Sequence, residues 1–245
     1  MQINRFEAAG LNCIEVAPDE VNPDLPLLIG LHGRGDWGES YVDLAELISE
    51  TDYRFIFPNA PLPLPGAFFE WFRFESANLG KEAATTRQTI FQLLEELMAR
   101  YTTPASRTFL FGFSQGGMMT LEAGLRYRDR DNQRLAGLAV LSGMLLADAP
   151  FQASRQTSLA SYYASDKGDL KAVLAAAAAD QIPLFAAHGI YDPVIPVGAG
   201  RSTREVLQQA GLVVEYYEFQ GEHQIILPEI QFLRQFIIKS LAKND

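Results

Sequence analysis

The sequence predicts an α/β fold in which one mostly parallel sheet is covered by helices on both faces. Short apolar runs alternate along the chain with longer segments of helical periodicity, which is the pattern of α/β proteins. Several runs, such as residues 27–31, are continuously apolar, as expected for strands buried on both faces. The 245 residues are 48% hydrophobic, so we expect one large core and a single domain over residues 1–245.

The elements follow from these patterns. Apolar stretches at 3–6 and 11–16, separated by small residues, predict an antiparallel hairpin at a sheet edge. Further strands are expected at residues 26–31, 54–57, 107–111, 135–141, 182–187 and 213–219. Helices are expected over residues 39–50, 79–101, 117–128 and 202–210, and from residue 228 onward. Leu44, Leu47 and Ile48 are expected to share the buried face of the first helix.

Residues 58–78 combine prolines with large apolar side chains. Four prolines between residues 58 and 65 oppose regular structure, so we expect a loop. A loop this apolar either folds onto the core or lines a site for an apolar substrate, and the two roles are compatible. Its apolar residues are Leu62, Leu64, Phe68, Phe69, Trp71, Phe72 and Phe74.

Residues 142–181 are expected to be an inserted segment between two strands, and not a second domain. The segment is rich in Ser and Ala, and the run Ala175–Ala179 favours a helix.

Charge and composition exclude several classes of function. The formal net charge of −10 and a pI of about 4.8 disfavour nucleic acid as a partner. We expect no signal peptide and no membrane span, because neither an apolar leader nor a run of about 20 apolar residues is present. The one cysteine, Cys13, lies in an alternating stretch and is expected to be a buried strand residue. These features predict a cytoplasmic protein.

The strongest local motif is G-F-S-Q-G at residues 112–116, between a predicted strand and a predicted helix. It matches G-x-S-x-G, the turn that exposes a nucleophilic serine above a parallel sheet. The flanking glycines let the strand and the helix pass closely. The motif predicts Ser114 as a nucleophile.

A serine hydroxyl needs a base to take its proton and an acid to orient that base. His223 follows the last predicted strand, at the edge of the sheet where Ser114 is also expected. Asp192 follows the preceding strand, which gives the order serine, acid, histidine. Asp166 and Asp169 also lie between Ser114 and His223 and stay open as alternatives.

Attack on a carbonyl also requires N–H donors for the oxyanion. The backbone N–H groups of Gln115 and of Arg34, in the glycine-rich turn at residues 32–38, are the candidates. No metal-ligand spacing and no nucleotide-binding glycine motif occurs in the sequence, so neither a metal nor a bound nucleotide is expected.

Four motifs together resemble the phospholipase/carboxylesterase family, which includes the acyl-protein thioesterases. They are L-H-G-R-G at 31–35, G-F-S-Q-G-G at 112–117, H-G-I-Y-D-P-V-I-P at 188–196 and G-E-H-Q-I at 221–225. The resemblance implies an α/β-hydrolase fold without a cofactor, and a triad of Ser114, Asp192 and His223. It also implies oxyanion donors at Arg34 and Gln115. Two departures concern the acyl pocket: Arg73 stands where many relatives have aspartate, and the segment after Gly143 is long.

The resulting hypothesis is a serine carboxylesterase that hydrolyses short- to medium-chain acyl esters or thioesters through an acyl-enzyme intermediate. Alternatives are an inactive binding protein with the same fold, and a peptidase or lactone hydrolase with the same triad. A homodimer is possible. The expected apolar wall of the substrate site consists of Leu62, Phe68, Phe69, Trp71 and Met144.

Overall fold

A computed structural model describes residues 1–20, 22, 24–49, 52–146 and 169–242. The strands are β1 (Gln2–Ala8), β2 (Leu11–Ala17), β3 (Leu27–Leu31), β4 (Arg54–Pro58), β5 (Leu62–Leu64), β6 (Phe68–Glu70), β7 (Thr108–Phe113), β8 (Gly137–Leu141), β9 (Leu184–Gly189) and β10 (Val214–Phe219). The helices are α1 (Val42–Ile48), α2 (Leu79–Tyr101), α3 (Gln115–Gly124), α4 (169–179), α5 (Val197–Gln209) and α6 (Leu227–Ala242). Short 3-10 turns lie at Gly38–Tyr41 and Ala105–Arg107.

The central sheet has the strand order β1-β2-β4-β3-β7-β8-β9-β10. Strand β2 pairs antiparallel with both β1 and β4, and every later pair in that order is parallel. The predicted N-terminal hairpin is therefore confirmed at one edge of the sheet. Its turn at Ala9 and Gly10 has φ values of 50° and 73°, the left-handed backbone that a two-residue hairpin turn needs.

Two apolar clusters cover the two faces of the sheet. The cluster on one face contains buried residues of α2, α3, α4 and α5, and the cluster on the other contains those of α1 and α6. Strand β3 shows the alternation: Leu27 and Ile29 belong to the first cluster and Leu28 to the second. All three are fully buried, which confirms the predicted sheet with helices on both faces.

The first helix differs from its prediction. In place of one continuous helix over 39–50, the described residues form the 3-10 turn Gly38–Tyr41 followed by α1, which ends at Ile48. Leu44 and Ile48 are buried as expected, but Leu47 is 50% exposed. The buried face of this segment consists of Tyr41, Leu44, Ala45 and Ile48. Leu47 lies outside this face and therefore points toward solvent.

The prediction that residues 58–78 lack regular structure is wrong in part. Strands β5 and β6 form an antiparallel hairpin in which Pro63 lies opposite Phe69. Proline is tolerated there because each strand of a two-stranded sheet has an unpaired edge. Gly66 and Ala67 supply the turn, with φ values of 84° and 63°.

The expected insertion at 142–181 falls largely outside the described residues, since positions 147–168 are among those not described. The described residues 169–179 are helical, which confirms the helix predicted from the alanine run.

Candidate active site

Ser114 lies in a strained turn between β7 and α3. Its φ and ψ angles are 55° and −120°, a backbone conformation that serine rarely adopts. A Cβ on Gly116 would lie 2.1 Å from the carbonyl oxygen of Leu31, and one on Gly112 would lie 2.4 Å from the carbonyl carbon of Gly116. Only glycines at these two positions allow α3 to cross the strands so closely. The turn therefore holds the Ser114 side chain at the carboxyl edge of the sheet.

His223 connects Ser114 to Asp192. Its Nε2 lies 2.8 Å from the Oγ of Ser114, and its Nδ1 lies 2.7 Å from the Oδ2 of Asp192. A proton on Nδ1 satisfies both contacts, because Nδ1–H then donates to the carboxylate and Nε2 accepts from the hydroxyl. The ring also packs against Phe113, with 4.8 Å between centroids.

The carboxylate of Asp192 is buried and held by its own loop. Its Oδ1 accepts hydrogen bonds from the backbone N–H groups of Val194 and Ile195, both at 2.8 Å. The loop that carries His223 is joined to the same region, since the N–H of Tyr191 donates to the carbonyl of Gly221 at 3.0 Å. Acid and base are thus fixed relative to each other.

His188 lies beneath this pair and has no exposed ring. Its Nε2 is 2.7 Å from the carbonyl oxygen of Ile195 and 3.4 Å from the Oδ2 of Asp192. Burial lowers the pKa of His188 below its ordinary value, so the ring is neutral and Nε2–H donates. The sequence pattern predicts His188 directly after a strand, but it does not indicate that the ring contacts Ile195 and Asp192.

The glycine-rich turn after β3 approaches Ser114 closely. A Cβ on Gly33 would lie 3.4 Å from the Cβ of Ser114. Tyr41 accepts a hydrogen bond from the N–H of Gly33 at 3.3 Å, and the Nδ1 of His32 lies 2.7 Å from the carbonyl oxygen of Gly33. The turn is therefore anchored at Gly33, directly before Arg34.

Two backbone N–H groups at this edge donate no hydrogen bond to any described residue. Among the hydrogen bonds that the described part of the chain makes, none is donated by the N–H of Arg34 or of Gln115. Gln115 begins α3, where the first amides of a helix have no intrahelical partner. Both groups can therefore serve a bound oxyanion.

The other residues expected at the site are divided between the surface and the core. Leu62 and Phe69 are half-buried, and Phe68 is 36% exposed beside Trp37. Trp71 and Met144 are fully buried, and their expected place in the wall of the substrate site stays a prediction. The Trp71 indole is turned inward, where its Nε1–H donates to the carbonyl of His32 at 2.8 Å.

Of the candidate acids that the structure describes, Asp192 is the one that contacts His223. Asp169 begins α4 and lies 3.7 Å from the guanidinium of Arg126, on another part of the surface. Asp166 lies outside the described residues. Arg73, the departure from the family pattern, contacts Glu82 at 3.2 Å through its guanidinium and is more than half exposed.

The described cavities lie away from the Ser114 hydroxyl. A cleft of about 340 Å³ runs between Leu62 and the first turns of α2, and one of about 660 Å³ is lined in part by Tyr127.

Cys13 is buried in β2, and burial raises the pKa of its thiol to about 12. Within the described ranges, no group of three metal-ligating side chains occurs, and no helix is long and apolar enough to cross a bilayer.

The fold and the constellation around Ser114 define a serine hydrolase. Strand–turn–helix geometry at Gly112–Gly116 and the parallel sheet are those of the α/β-hydrolase class. The chain belongs to the phospholipase/carboxylesterase family, whose sequence profile matches residues 11–241.

The names of individual relatives are consistent with this family. Acyl-protein thioesterase 1 of Neurospora crassa is 27% identical over 236 residues, which cover 88% of this chain and 87% of the relative. A probable carboxylesterase of Arabidopsis thaliana, SOBER1-like, is 26% identical over 235 residues, which cover 89% of this chain and 80% of the relative. The crystal structure of esterase PE8 has a TM-score of 0.73 at 25% identity, covering 92% of this chain and 96% of that one. Acyl-protein thioesterase 2 of Zea mays has a TM-score of 0.66 at 20% identity, covering 94% and 98%, a likeness of fold alone.

Proposed function

We propose that this protein hydrolyses short- to medium-chain acyl esters or thioesters through an acyl-enzyme intermediate on Ser114. One observation carries the proposal: the unbroken path of hydrogen bonds from the Ser114 hydroxyl through His223 to Asp192, with contacts of 2.8 Å and 2.7 Å. The names of the relatives, which are thioesterases and carboxylesterases, support the class of substrate.

The proposed reaction has two halves. Nε2 of His223 takes the Ser114 proton while Oγ attacks the acyl carbon, and the carbonyl oxygen becomes an oxyanion facing the N–H groups of Arg34 and Gln115. The C–O or C–S bond then breaks, and His223 returns the proton to the leaving alcohol or thiol. In the second half, His223 activates a water molecule that attacks the acyl-enzyme and releases the carboxylic acid.

Asp192 stabilises the imidazolium that forms in each half. Its carboxylate already accepts two backbone hydrogen bonds, so it is held in the orientation that the Nδ1–H of His223 requires. A proton on Nδ1 leaves Nε2 free to act as the base.

The substrate wall is proposed to be Leu62, Phe68, Phe69, Trp71 and Met144, of which Leu62, Phe68 and Phe69 are at least partly exposed. These three side chains belong to the β5–β6 hairpin, which is joined to the turn of Arg34 by the bridge between Asp36 and Phe69. A partly exposed apolar hairpin beside the oxyanion turn suits an acyl chain better than a charged substrate.

Replacement of Ser114 by alanine tests the function. We expect Ser114→Ala to lower turnover of a p-nitrophenyl acyl ester by on the order of 10⁴-fold or more, with an unchanged melting temperature. Ser202→Ala, in α5, is the matched control and should retain full activity. Unchanged turnover in purified Ser114→Ala would contradict the proposal.

A substrate panel tests the class of acyl compound. It would contain esters of increasing chain length, a thioester, a lactone and a peptide, each measured as kcat/KM. We expect the highest values among the esters and thioesters of short to medium chains. A peptide or a lactone turned over faster than every ester would favour the peptidase or lactone hydrolase alternative. Absence of turnover and of labelling by a fluorophosphonate would favour an inactive binding protein.

Location and assembly stay predictions from the sequence. Cell fractionation tests the expected cytoplasmic location, and light scattering distinguishes a monomer from the possible homodimer.

A further inference from the structure

We propose that Glu70 is a positioning residue for the oxyanion hole, acting through the side chain of Arg34. The inference rests on the proposed function, since it assigns Glu70 to the N–H donor that the esterase reaction uses. Nothing in the residue pattern of the catalytic motifs points to this carboxylate.

The ion pair between Arg34 and Glu70 has an unusual setting. The Nε of Arg34 donates to Oε2 of Glu70 at 2.6 Å, and the Glu70 side chain is only 4% exposed. The Arg34 side chain is 41% exposed, so the arginine is drawn from the surface toward a carboxylate in the interior. A buried carboxylate requires such a partner, and a charge-assisted contact of this length holds the partner firmly.

The backbone next to Arg34 is held by the residue before Glu70. The N–H of Gly35 donates to the carbonyl of Phe69 at 2.9 Å, and the N–H of Phe69 donates to the carbonyl of Asp36 at 3.1 Å. Arg34 is therefore fixed to β6 twice, by its own side chain and by its following neighbours. These contacts set the direction of the peptide group that carries the Arg34 N–H.

The residues after Glu70 hold the other oxyanion donor. The N–H of Trp71 donates to the side-chain oxygen of Gln115 at 2.8 Å, and the side-chain amide of Gln115 donates to the carbonyl of Phe72 at 2.6 Å. Gln115 is fully buried. Residues 69–72 thus connect the turn of Arg34 to the first residue of α3, and Glu70 supplies the charged contact in that connection.

This arrangement affects the rate more than substrate binding. An oxyanion donor contributes only if it points at the developing charge before the reaction begins, and loss of one donor costs about 10²–10³ in kcat. Removing the Glu70 contact loosens Arg34 without deleting its N–H. We therefore expect a smaller loss, on the order of 10- to 100-fold in kcat, with KM nearly constant.

The test uses Glu70→Gln and Glu70→Ala in the full-length protein, with p-nitrophenyl ester turnover and binding of a trifluoromethyl ketone. The Oγ of Ser114 adds to the ketone carbon while Nε2 of His223 takes the hydroxyl proton, and the ketone oxygen becomes an oxyanion in the hole. The affinity of this inhibitor therefore reports on the two N–H donors. We expect its Ki to rise by about the factor by which kcat/KM falls. Glu75→Gln is the matched control: Glu75 lies 3.9 Å from the same guanidinium but its side chain is 77% exposed, and its loss should leave both values unchanged.

Arg34→Ala breaks the same ion pair by removing the side chain of its exposed partner, and it keeps the backbone N–H of residue 34. It should reproduce the loss seen in Glu70→Ala, and the double variant should be no worse than either single variant, because both act through one contact. This comparison also covers the case in which Glu70→Ala fails to fold.

The outcomes separate this inference from the proposed function. Wild-type protein without ester turnover would overturn the proposed function itself. An active wild type, with Glu70 and Arg34 variants that match it in kcat and in inhibitor Ki, would overturn only the role of Glu70. Equal losses in Glu75→Gln would also overturn it, since they would reflect the surface charge and not the buried contact.

Discussion

Each residue of the proposed triad is held in place by its own loop, and Asp192 shows this best. Its Oδ1 accepts two backbone hydrogen bonds while Oδ2 accepts from His223, so its orientation is set independently of the imidazole. In the proposed reaction the carboxylate therefore orients His223 and stabilises its positive charge, and does not accept its proton.

We expect Asp192→Asn to lower kcat by about 10⁴-fold with little change in stability, because an amide favours the wrong tautomer of His223. Asp169→Asn should retain full activity, since Asp169 lies beside Arg126 and its side chain is 57% exposed. Ester hydrolysis under substrate saturation measures both. Equal effects of the two substitutions would contradict the assignment of the acid.

A second prediction concerns Glu229, in the first turn of α6. It is fully buried, and burial raises the pKa of its carboxyl to about 8. Within the described residues its Oε1 has no hydrogen-bond partner, and Oε2 accepts from the N–H of Ile226 at 3.2 Å. Between the ordinary pKa of 4.5 and about 8, the unfolded chain releases a proton that the folded protein retains. Stability from this group is therefore lost as the pH rises through that window.

Glu229→Gln should remove this dependence, because glutamine resembles the protonated acid. The variant and the wild type should melt similarly at pH 5, and the variant should melt higher at pH 9, by on the order of 10 °C. Glu205→Gln, whose side chain is 61% exposed, should show no such gap between the two pH values. Thermal unfolding followed by circular dichroism is the measurement. A variant that melts below the wild type at pH 9 would contradict the prediction.

Single residues differ in how far the sequence reveals them. Ser114 is marked by its motif, and His223 and Asp192 are marked by their places after strands. Glu70 was missed, although it is the one charged residue in the apolar stretch 58–72. Its partner Arg34 lies 36 positions away, and only the folded chain brings them together.

At the scale of elements, the crossing of α3 over the sheet depends on its glycines. Gly116→Ala should destabilise the protein by about 1–3 kcal/mol, because the added methyl group would overlap the backbone of Leu31. Gly198→Ala is the control: nothing lies within 4 Å of its added Cβ in α5, and it should gain about 0.5–1 kcal/mol from helix propensity. Urea unfolding measures both, and a Gly116→Ala protein as stable as the wild type would contradict the account.

Helices and central strands were the predictable elements. The periodicity of residues 79–101 gave α2 with its observed bounds, because its apolar stripe is regular. The β5–β6 hairpin was not predicted, since four nearby prolines favour a loop when each is judged alone. Its pairing is stabilised by contacts with the distant turn at Gly35 and Asp36, which no local pattern contains.

For the whole molecule, the sheet brings distant residues together. Ser114, Asp192 and His223 follow β7, β9 and β10, whose carboxyl ends meet at one edge. The sequence predicted that shared edge, because α/β proteins place loops there. It could not predict the strand order or the distances, which depend on pairing between segments separated by up to 109 residues.

Trapping of the acyl-enzyme tests the central claim most directly. The purified protein would be mixed with an ester substrate, quenched in acid within one turnover, digested and analysed by mass spectrometry. We expect the mass of the acyl group on the peptide that contains Ser114, and no acyl group there in Ser114→Ala. An acyl group on another residue of an active enzyme, or ester hydrolysis that continues in Ser114→Ala, would contradict the account.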